Sequence, residues 1–323
     1  MNSVASSNRG NITEKLPIKI NLPEGFLDEE IRCDYLISKQ MKEVWAVELD
    51  LLNELDRVCN NSGLTYFACA GTMLGAIRHK GIIPWDDDID VMMLRDEYEK
   101  LCSLSSMFDK PYFFQTELTD KGSMRGHAQL RNSLTTGILK FDLPGKYSFN
   151  QGIFIDIFPI DNIPDETEER QKYFARLKRA KRNYMRIRDI PSHFGASKST
   201  IKNALRSIVS PVLRFLDSRF SLSHKMCLAY EKECKKYISV KTQQASILTL
   251  AELGDRFTWD NKDLTGPTSR VPFEFLDLPL PNGYLKVLEK SYGNWKKPVK
   301  VGTNHGGVIF DCYKPYDEYL KER

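Results

Sequence analysis

Two apolar, strand-like runs in this chain carry aspartate in their midst. Residues 152–161 read GIFIDIFPID, and residues 89–94 read IDVMML directly after PWDDD. Runs rich in β-branched and aromatic residues favour strands. An ionised carboxylate in such a strand is costly to bury without a partner. The chain must therefore fold so that Asp156 faces a cation or a polar cleft, or so that it is a hydrogen-bonded structural residue at a sheet edge.

Side chains alternate between the faces of a strand. If the strand begins early, Asp86, Asp88 and Asp90 share one face and Ile89 and Val91 the buried one. Carboxylates two residues apart repel each other and raise each other's pKa, and a divalent cation removes that cost. Oxygen-rich sites of this kind suit Mg²⁺ or Mn²⁺. An aspartate triplet is often only a turn or a helix cap, but such clusters do not usually run straight into a buried strand. An EF-hand is a further reading of Asp86, Asp88, Asp90 and Glu97, and Val91 stands where its sixth position needs glycine. Asp161, after Pro159, reads as a turn or cap residue.

Ahead of the acids lies GTMLGAIRHKG, residues 71–81. It lacks the lysine and spacing of a P-loop. A strand that feeds a glycine turn into a helix still presents backbone N–H groups to an anion, which makes Gly71, Thr72 and Gly75 candidates for phosphate contact. A purely structural turn is the plainer alternative. Arg78, His79 and Lys80 fall between this turn and the acids and are candidate phosphate partners.

Around these motifs the pattern is α+β. A helix is expected from about Asp34 to Asn60, then strands at 64–70, 88–94, 111–117 and 152–161, with a helix after the glycine turn and another over 95–108. The segmentation reads as a loose tail over 1–25, a mixed core over 26–165, a helical segment over 166–240, and a loop-rich part over 241–323 that folds back on the core. Further helices are expected over 165–189, 200–210 and 223–239, with Ser210-Pro211 as an N-cap and first-turn pair.

The 323 residues are 41% hydrophobic and 28% charged, which argues against extended disorder. The net charge of +4 suits an anionic substrate and does not demand nucleic acid. The seven cysteines form no C-x-x-C pair, so neither a zinc site nor a disulfide framework is expected. The N-terminus is polar and no apolar run is long enough to span a bilayer; a cytoplasmic location is the expectation. RLKRAKRNYMRIR, residues 176–188, carries seven Lys or Arg. It reads as a solvated face, as a surface for a polyanionic or lipid-linked acceptor or an anionic membrane, or, more remotely, as a nucleic-acid contact.

The stretch from Gly71 to Val91, GTMLGAIRHKG followed by PWDDDIDV, closely resembles the LicD family, which includes fukutin-related proteins. FIDIFPID at 154–161 resembles the family's second acidic strand, and LRNSLTT, with Arg131 and Thr135, a middle motif. Trp295 to Pro298, His305 and FDCYKPYDEYL loosely match its close. The resemblance implies a polymerase β-like nucleotidyltransferase core, a mixed sheet with flanking helices. It also implies transfer of a substituted phosphate, typically phosphocholine, from a CDP-alcohol donor to a sugar hydroxyl. Asp88, Asp90 and Asp156 would then be the catalytic acids and the ligands of a two-metal Mg²⁺ or Mn²⁺ site. Gly71 and Gly75 take the glycine-motif positions, with Gly71-Thr72 where the superfamily has Gly-Ser. Arg78, Lys80 or Arg131 would neutralise phosphate, and Trp85, Asp87, Thr135 and His305 are candidate donor or acceptor contacts. CDP-choline is the favoured donor, with a glycan or lipid-linked glycan as acceptor. A choline head group would want aromatic faces. Two other readings stand beside this: a nucleotidyltransferase acting on RNA or a small molecule with pyrophosphate release, and a non-catalytic calcium- or anion-binding module.

Overall fold

The computed structural model describes residues 15–143, 147–188, 211–213, 215–300 and 307–322. The helix expected over 200–210, Ser210 and His305 lie outside the described residues.

Helix α1, Lys39–Ser62, is the longest element among the described residues. Ser38 caps it by accepting from the Met41 N–H, and Gly63 ends it in the left-handed conformation. It starts later than the apolar periodicity suggests, because Glu30–Arg32 (β1) and Tyr35–Ile37 (β2) pair as a short hairpin. The chain is tethered even before that hairpin. Leu16 is buried, and the Lys19 and Ile20 N–H groups donate to Asp50 of α1 at 2.9 and 2.8 Å. The loose tail expected over 1–25 is thus packed from Leu16 onward.

The central sheet is mixed and seven-stranded. Its spine is β8, Ile153–Asn162, in which nine of ten residues are buried. Asp90–Leu94 (β4) runs parallel to β8, with Phe67–Ala68 (β3) antiparallel beyond it. Ala128–Asn132 (β6) lies antiparallel on the other side of β8 and carries Tyr112–Gln115 (β5) outside it. Thr136–Leu139 (β7) leaves this sheet and pairs with Val308–Asp311, the last strand. Between β3 and β4 the chain forms α2, Ala70–His79; after β4 it forms α3, Arg95–Ser103.

The C-terminal part is more regular than its proline content suggests. Gln244–Ser246 (β9) pairs with the end of β8, and Thr258–Asp260 (β10) pairs with β9, so the chain extends the sheet that it began. A hairpin of Ser269–Phe273 (β11) and Leu276–Leu280 (β12) follows, then Tyr284–Tyr292. One apolar core unites α1, the sheet and this return. A second, smaller core lies between α4, Thr167–Arg188, and α5, Leu222–Cys234, around Tyr173, Phe174, Leu177, Tyr184 and Tyr230. Among the described residues, no helix is long and apolar enough to cross a membrane.

Candidate active site

Asp90 opens β4 and is the direct register partner of Asp156 on β8. The next partner along the same row is Gln129 on β6, and the next Gln115 on β5. Register partners carry their side chains on the same face of a sheet. Four polar side chains therefore form one rung across four adjacent strands. The strand does not extend back to Asp86. Residues 86–89 are a loop, whose turn is closed by the Asp86 N–H on the Ile83 carbonyl and pinned by the Trp45 indole N–H on the Asp86 carbonyl. The alternation argued for Asp86, Asp88 and Asp90 thus begins only at Asp90.

Asp86, Asp87 and Asp88 instead gather through that loop. Each offers a carboxylate oxygen, and these oxygens lie within 4.8 Å of one another. Among the described residues, Asp88, Asp90 and Asp156 are not drawn together within that span. Asp90 is pushed well above the ordinary carboxylate range by burial, and then by the charges of Asp88, Asp156 and Asp86.

A further carboxylate belongs here that the sequence reading missed. Glu48 lies on α1 one helical turn after Trp45, on the face turned to the acidic loop. It is 1% exposed, and its Oε2 has no hydrogen-bond partner. Burial pushes it well above its ordinary range, with Asp88, Asp87, Asp86 and Asp90 adding to the effect in that order. A helix face read from sequence alone gives no sign that a glutamate within it docks against an acidic loop.

His127 was also missed. Its Nε2 lies 3.1 Å from Asp156 Oδ1, its ring packs against Phe158 at 4.4 Å between centroids, and its Nδ1 is buried without a partner. Gln129 Nε2 donates to the same Asp156 oxygen at 2.6 Å. Gln129 lies on β6 and His127 in the bend just ahead of it, and a lone His near a Gln carries no motif.

The glycine turn behaves in two ways. At Gly71 an added Cβ would stand 2.6 Å from Asp86 Oδ2, so this carboxylate sits against the start of α2. An acid there meets the positive end of the helix. Thr72, 4% exposed, accepts the Asp90 N–H at 2.8 Å through its hydroxyl and so ties α2 to the first residue of β4. Gly75 is different. A Cβ there would lie 2.5 Å from the Gly81 carbonyl oxygen and 3.3 Å from the Ile83 nitrogen. Its role is close packing of the returning chain, not contact with a phosphate.

Arg78, His79 and Lys80 occupy the opposite end of α2, roughly 10–13 Å along its axis from Gly71 at 1.5 Å per residue. They do not converge with the helix start. Arg78 donates to the Trp295 carbonyl at 3.0 Å and to His79 Nδ1 at 3.3 Å; Lys80 is exposed and left-handed at φ 56°. Burial, then Arg78 and Arg32, lowers His79. Trp85 packs edge-on against both His79 and Tyr35 at 6.2 Å.

Two candidates prove to be internal. Arg131 is 1% exposed, and its guanidinium donates to Gln115, Gly152 and Gln129. It braces the sheet and does not lie open to a phosphate. Thr135 is fully buried; its hydroxyl donates to the Asn132 carbonyl and accepts the Ile153 N–H. Asp161 is no cap: it receives both arms of Arg95 at 2.7 Å inside the protein. Asp87, 9% exposed, stays with the acidic loop.

Residues 63–188 match the LicD/FKTN/FKRP nucleotidyltransferase domain. Over 268 residues the chain is 26% identical to the lipopolysaccharide cholinephosphotransferase LicD of Haemophilus influenzae, which covers 80% of this chain and 91% of that protein. A stretch of 83 residues is 26% identical to an uncharacterized protein of Rickettsia prowazekii, covering 26% of this chain and 30% of that one. A stretch of 47 residues is 36% identical to an uncharacterized protein of Rickettsia typhi, 15% of either chain. The matched stretch, residues 63–188, holds the acidic loop and both acidic strands, and there the chain is similar to the LicD family.

Proposed function

We propose that this chain is a LicD-type phosphotransferase with a polymerase β-like nucleotidyltransferase core. It moves a substituted phosphate, phosphocholine in the favoured case, from a CDP-activated donor to a hydroxyl of a cell-surface glycan or its lipid-linked precursor, working in the cytoplasm. The observation that carries this reading is the pairing of Asp90 with Asp156 across parallel strands, inside a domain of this family.

The donor set fits Mg²⁺ or Mn²⁺. Its ligands are hard carboxylate oxygens, and Glu48 Oε2 is a buried orphan beside them. Asp88, Asp90 and Asp156 would hold the ions, with Asp86 and Asp87 beside Asp88 in the loop. Bound there, the ions supply positive charge at the donor's diphosphate and at the attacking oxygen. The protein's own part is placement. Thr72 fixes the start of β4, and the start of α2, with Asp86 against Gly71, would offer backbone N–H groups to the diphosphate. The acceptor oxygen bonds to the phosphorus that bears the choline. The P–O bond to CMP breaks, its electron pair leaves with CMP, and the hydroxyl proton passes to Asp156 or to water. Arg78, His79 and Lys80, at the far end of α2, suit an anionic group of the acceptor better than the diphosphate.

On α4, Lys172, Arg176, Arg179, Arg182 and Arg186 are exposed at intervals of three or four residues, opposite Tyr173, Phe174, Leu177 and Tyr184. Such spacing makes one basic stripe, which suits a lipid-linked acceptor at an anionic membrane surface.

The test is CMP release from CDP-choline and other CDP-alcohols, with a glycan acceptor, Mg²⁺ or Mn²⁺, and EDTA as control. Cation-dependent CMP release that Asp90→Asn abolishes is the expected result. Silence toward every CDP-alcohol, joined to pyrophosphate release from a nucleoside triphosphate, would replace this reading with the nucleotidyltransferase one.

A further inference from the structure

Asp156 stands at one end of a hydrogen-bonded row of side chains organised by Arg131, a residue buried in the sheet. Gln129 Nε2 donates to Asp156 Oδ1 at 2.6 Å, and Gln129 Oε1 accepts from Arg131 Nη2. Arg131 Nε donates to Gln115 Oε1 at 2.6 Å, and Gln115 Nε2 donates onward to Asp120 Oδ2 at 2.7 Å and to the Asn150 carbonyl at 2.9 Å. Arg131 Nη1 donates to the Gly152 carbonyl at 2.7 Å, and the guanidinium lies 4.6 Å from the Phe154 ring centroid. Phe154 is the register partner of Arg131.

An arginine has only donors, whereas a glutamine amide has one accepting and one donating end. Arg131 therefore dictates both amides. Gln129 must turn its carbonyl oxygen to the guanidinium and its NH₂ to Asp156. The reverse orientation would set NH₂ against NH₂ on one side and oxygen against carboxylate on the other. Gln115 is fixed in the same way, with its NH₂ toward Asp120. The five side chains are thus polarised along the sheet, and the last of them, Asp156, receives a donor whose direction cannot flip. Two register pairs, Gln115 with Gln129 and Gln129 with Asp156, keep the row in line.

We propose that Gln129 and Arg131 are positioning residues for Asp156: Arg131 locks the Gln129 amide, and that amide holds Asp156 Oδ1 in its working orientation. The proposal rests on the role assigned to Asp156 in the phosphotransfer reading. It gives a reason for a guanidinium to be buried in the sheet, where burial alone disfavours its charge.

Gln129→Met removes the amide at similar volume; Arg131→Lys keeps the charge and loses the fork. Three readouts are taken on each: kcat and KM for CMP release from CDP-choline, Mn²⁺ affinity by titration calorimetry, and the melting temperature. Partners that orient ligating carboxylates are worth about 10–100-fold in metal affinity or activity. Gln129→Met is expected to lower kcat and Mn²⁺ affinity by about tenfold or more in this range, with KM for the donor near wild type. Combined with Asp156→Asn, it should add nothing further, since the residue it positions is already neutral. A folded Gln129→Met with wild-type kcat and Mn²⁺ affinity overturns the proposal, as does full additivity with Asp156→Asn. Should Arg131→Lys fail to fold, Gln129→Met decides alone. If Asp156→Asn itself leaves activity and Mn²⁺ affinity intact, it is the underlying role of Asp156 that fails. Loss with Asp156→Asn and none with Gln129→Met sinks only the positioning claim.

Discussion

Asp90 and Asp156 stand opposite each other on adjacent parallel strands, each flanked along its strand by apolar residues. The two come from segments 66 residues apart, so only the parallel β4–β8 pairing brings them together. Asp90 is raised by burial and by three neighbouring carboxylates. Like charges so placed destabilise the fold unless a cation or a proton offsets them.

A divalent cation should therefore stabilise the folded chain. Binding to the native state alone adds about 2.7 kcal/mol when the ligand is at 100 times its Kd. Millimolar Mg²⁺ or Mn²⁺ should raise the melting temperature by several degrees relative to EDTA. Asp90→Asn should raise the melting temperature in EDTA and shrink the response to metal. A scanning fluorimetry series over metal concentration reads both, and an unchanged metal response in Asp90→Asn would remove Asp90 from the cation site.

Glu48 carries a prediction about pH. Its folded carboxyl is raised well above the ordinary range. Between its unfolded value and that raised value the native state binds more protons than the unfolded state, so stability falls as pH rises. Asp90 acts in the same direction. In EDTA, melting temperatures should decline from about pH 5 upward, reckoned from an unfolded glutamate value of about 4.3. Glu48→Gln should flatten the slope, and so should saturating Mg²⁺. A wild-type profile that is flat or rising over that range would contradict the buried, acid-facing placement of Glu48.

The acids themselves were legible because an aspartate inside an apolar strand contradicts its surroundings, and that conflict survives in one dimension. Asp156 and Asp90 carry it plainly. Glu48 does not, since a glutamate on an amphipathic helix looks solvated until the helix docks. His127 and Gln129 become meaningful only through the register of β6 on β8. Arg131 stood out in a motif, yet its charge suggested a phosphate where its burial makes it a brace. The glycines divide likewise. Both look like turn residues in sequence, and only the fold separates Gly71, under Asp86, from Gly75, against the Gly81 carbonyl. The return of the C-terminal part as strands β9 and β10 depends on pairing between residues about 84 apart, Asp161 and Asn162 with Ala245 and Ser246, which no local pattern encodes.

That division of the glycines is testable. Gly75→Ala puts a methyl 2.5 Å from a backbone oxygen that cannot swing aside, and overpacking of this kind costs about 1–3 kcal/mol. Gly71→Ala meets only the end of the Asp86 side chain, which can move. The first should lower the urea midpoint clearly; the second should leave it nearly unchanged and weaken Mn²⁺ binding. Equal losses of stability at the two positions would be the wrong outcome.

The basic stripe of α4 should be felt at an anionic surface. Juxtamembrane Lys or Arg contributes about 1 kcal/mol each near such a surface. Reversing Arg179, Arg182 and Arg186 to Glu should abolish co-sedimentation with phosphatidylserine vesicles at low salt, while cation-dependent CMP release from a water-soluble acceptor continues. Vesicle binding that the reversal leaves intact would mean the stripe is only a solvated face.

Asp161 is five residues along β8 from Asp156 and does a different job. Both arms of Arg95 reach it at 2.7 Å, with side-chain exposures of 8% for Arg95 and 2% for Asp161. Removing one partner of a buried ion pair leaves the other charge uncompensated, at a cost of about 3–5 kcal/mol. Asp161→Ala should therefore lower stability by that order while the folded fraction keeps its metal affinity and turnover. Asp156→Asn should do the reverse: lose turnover and metal affinity, with stability in EDTA equal to wild type or better, because it removes a charge that repels Asp90. Urea melts in EDTA beside single-turnover assays on folded protein separate the two. If Asp161→Ala cost activity out of proportion to its unfolding, the Arg95 pair would have to be counted with the site rather than with the scaffold.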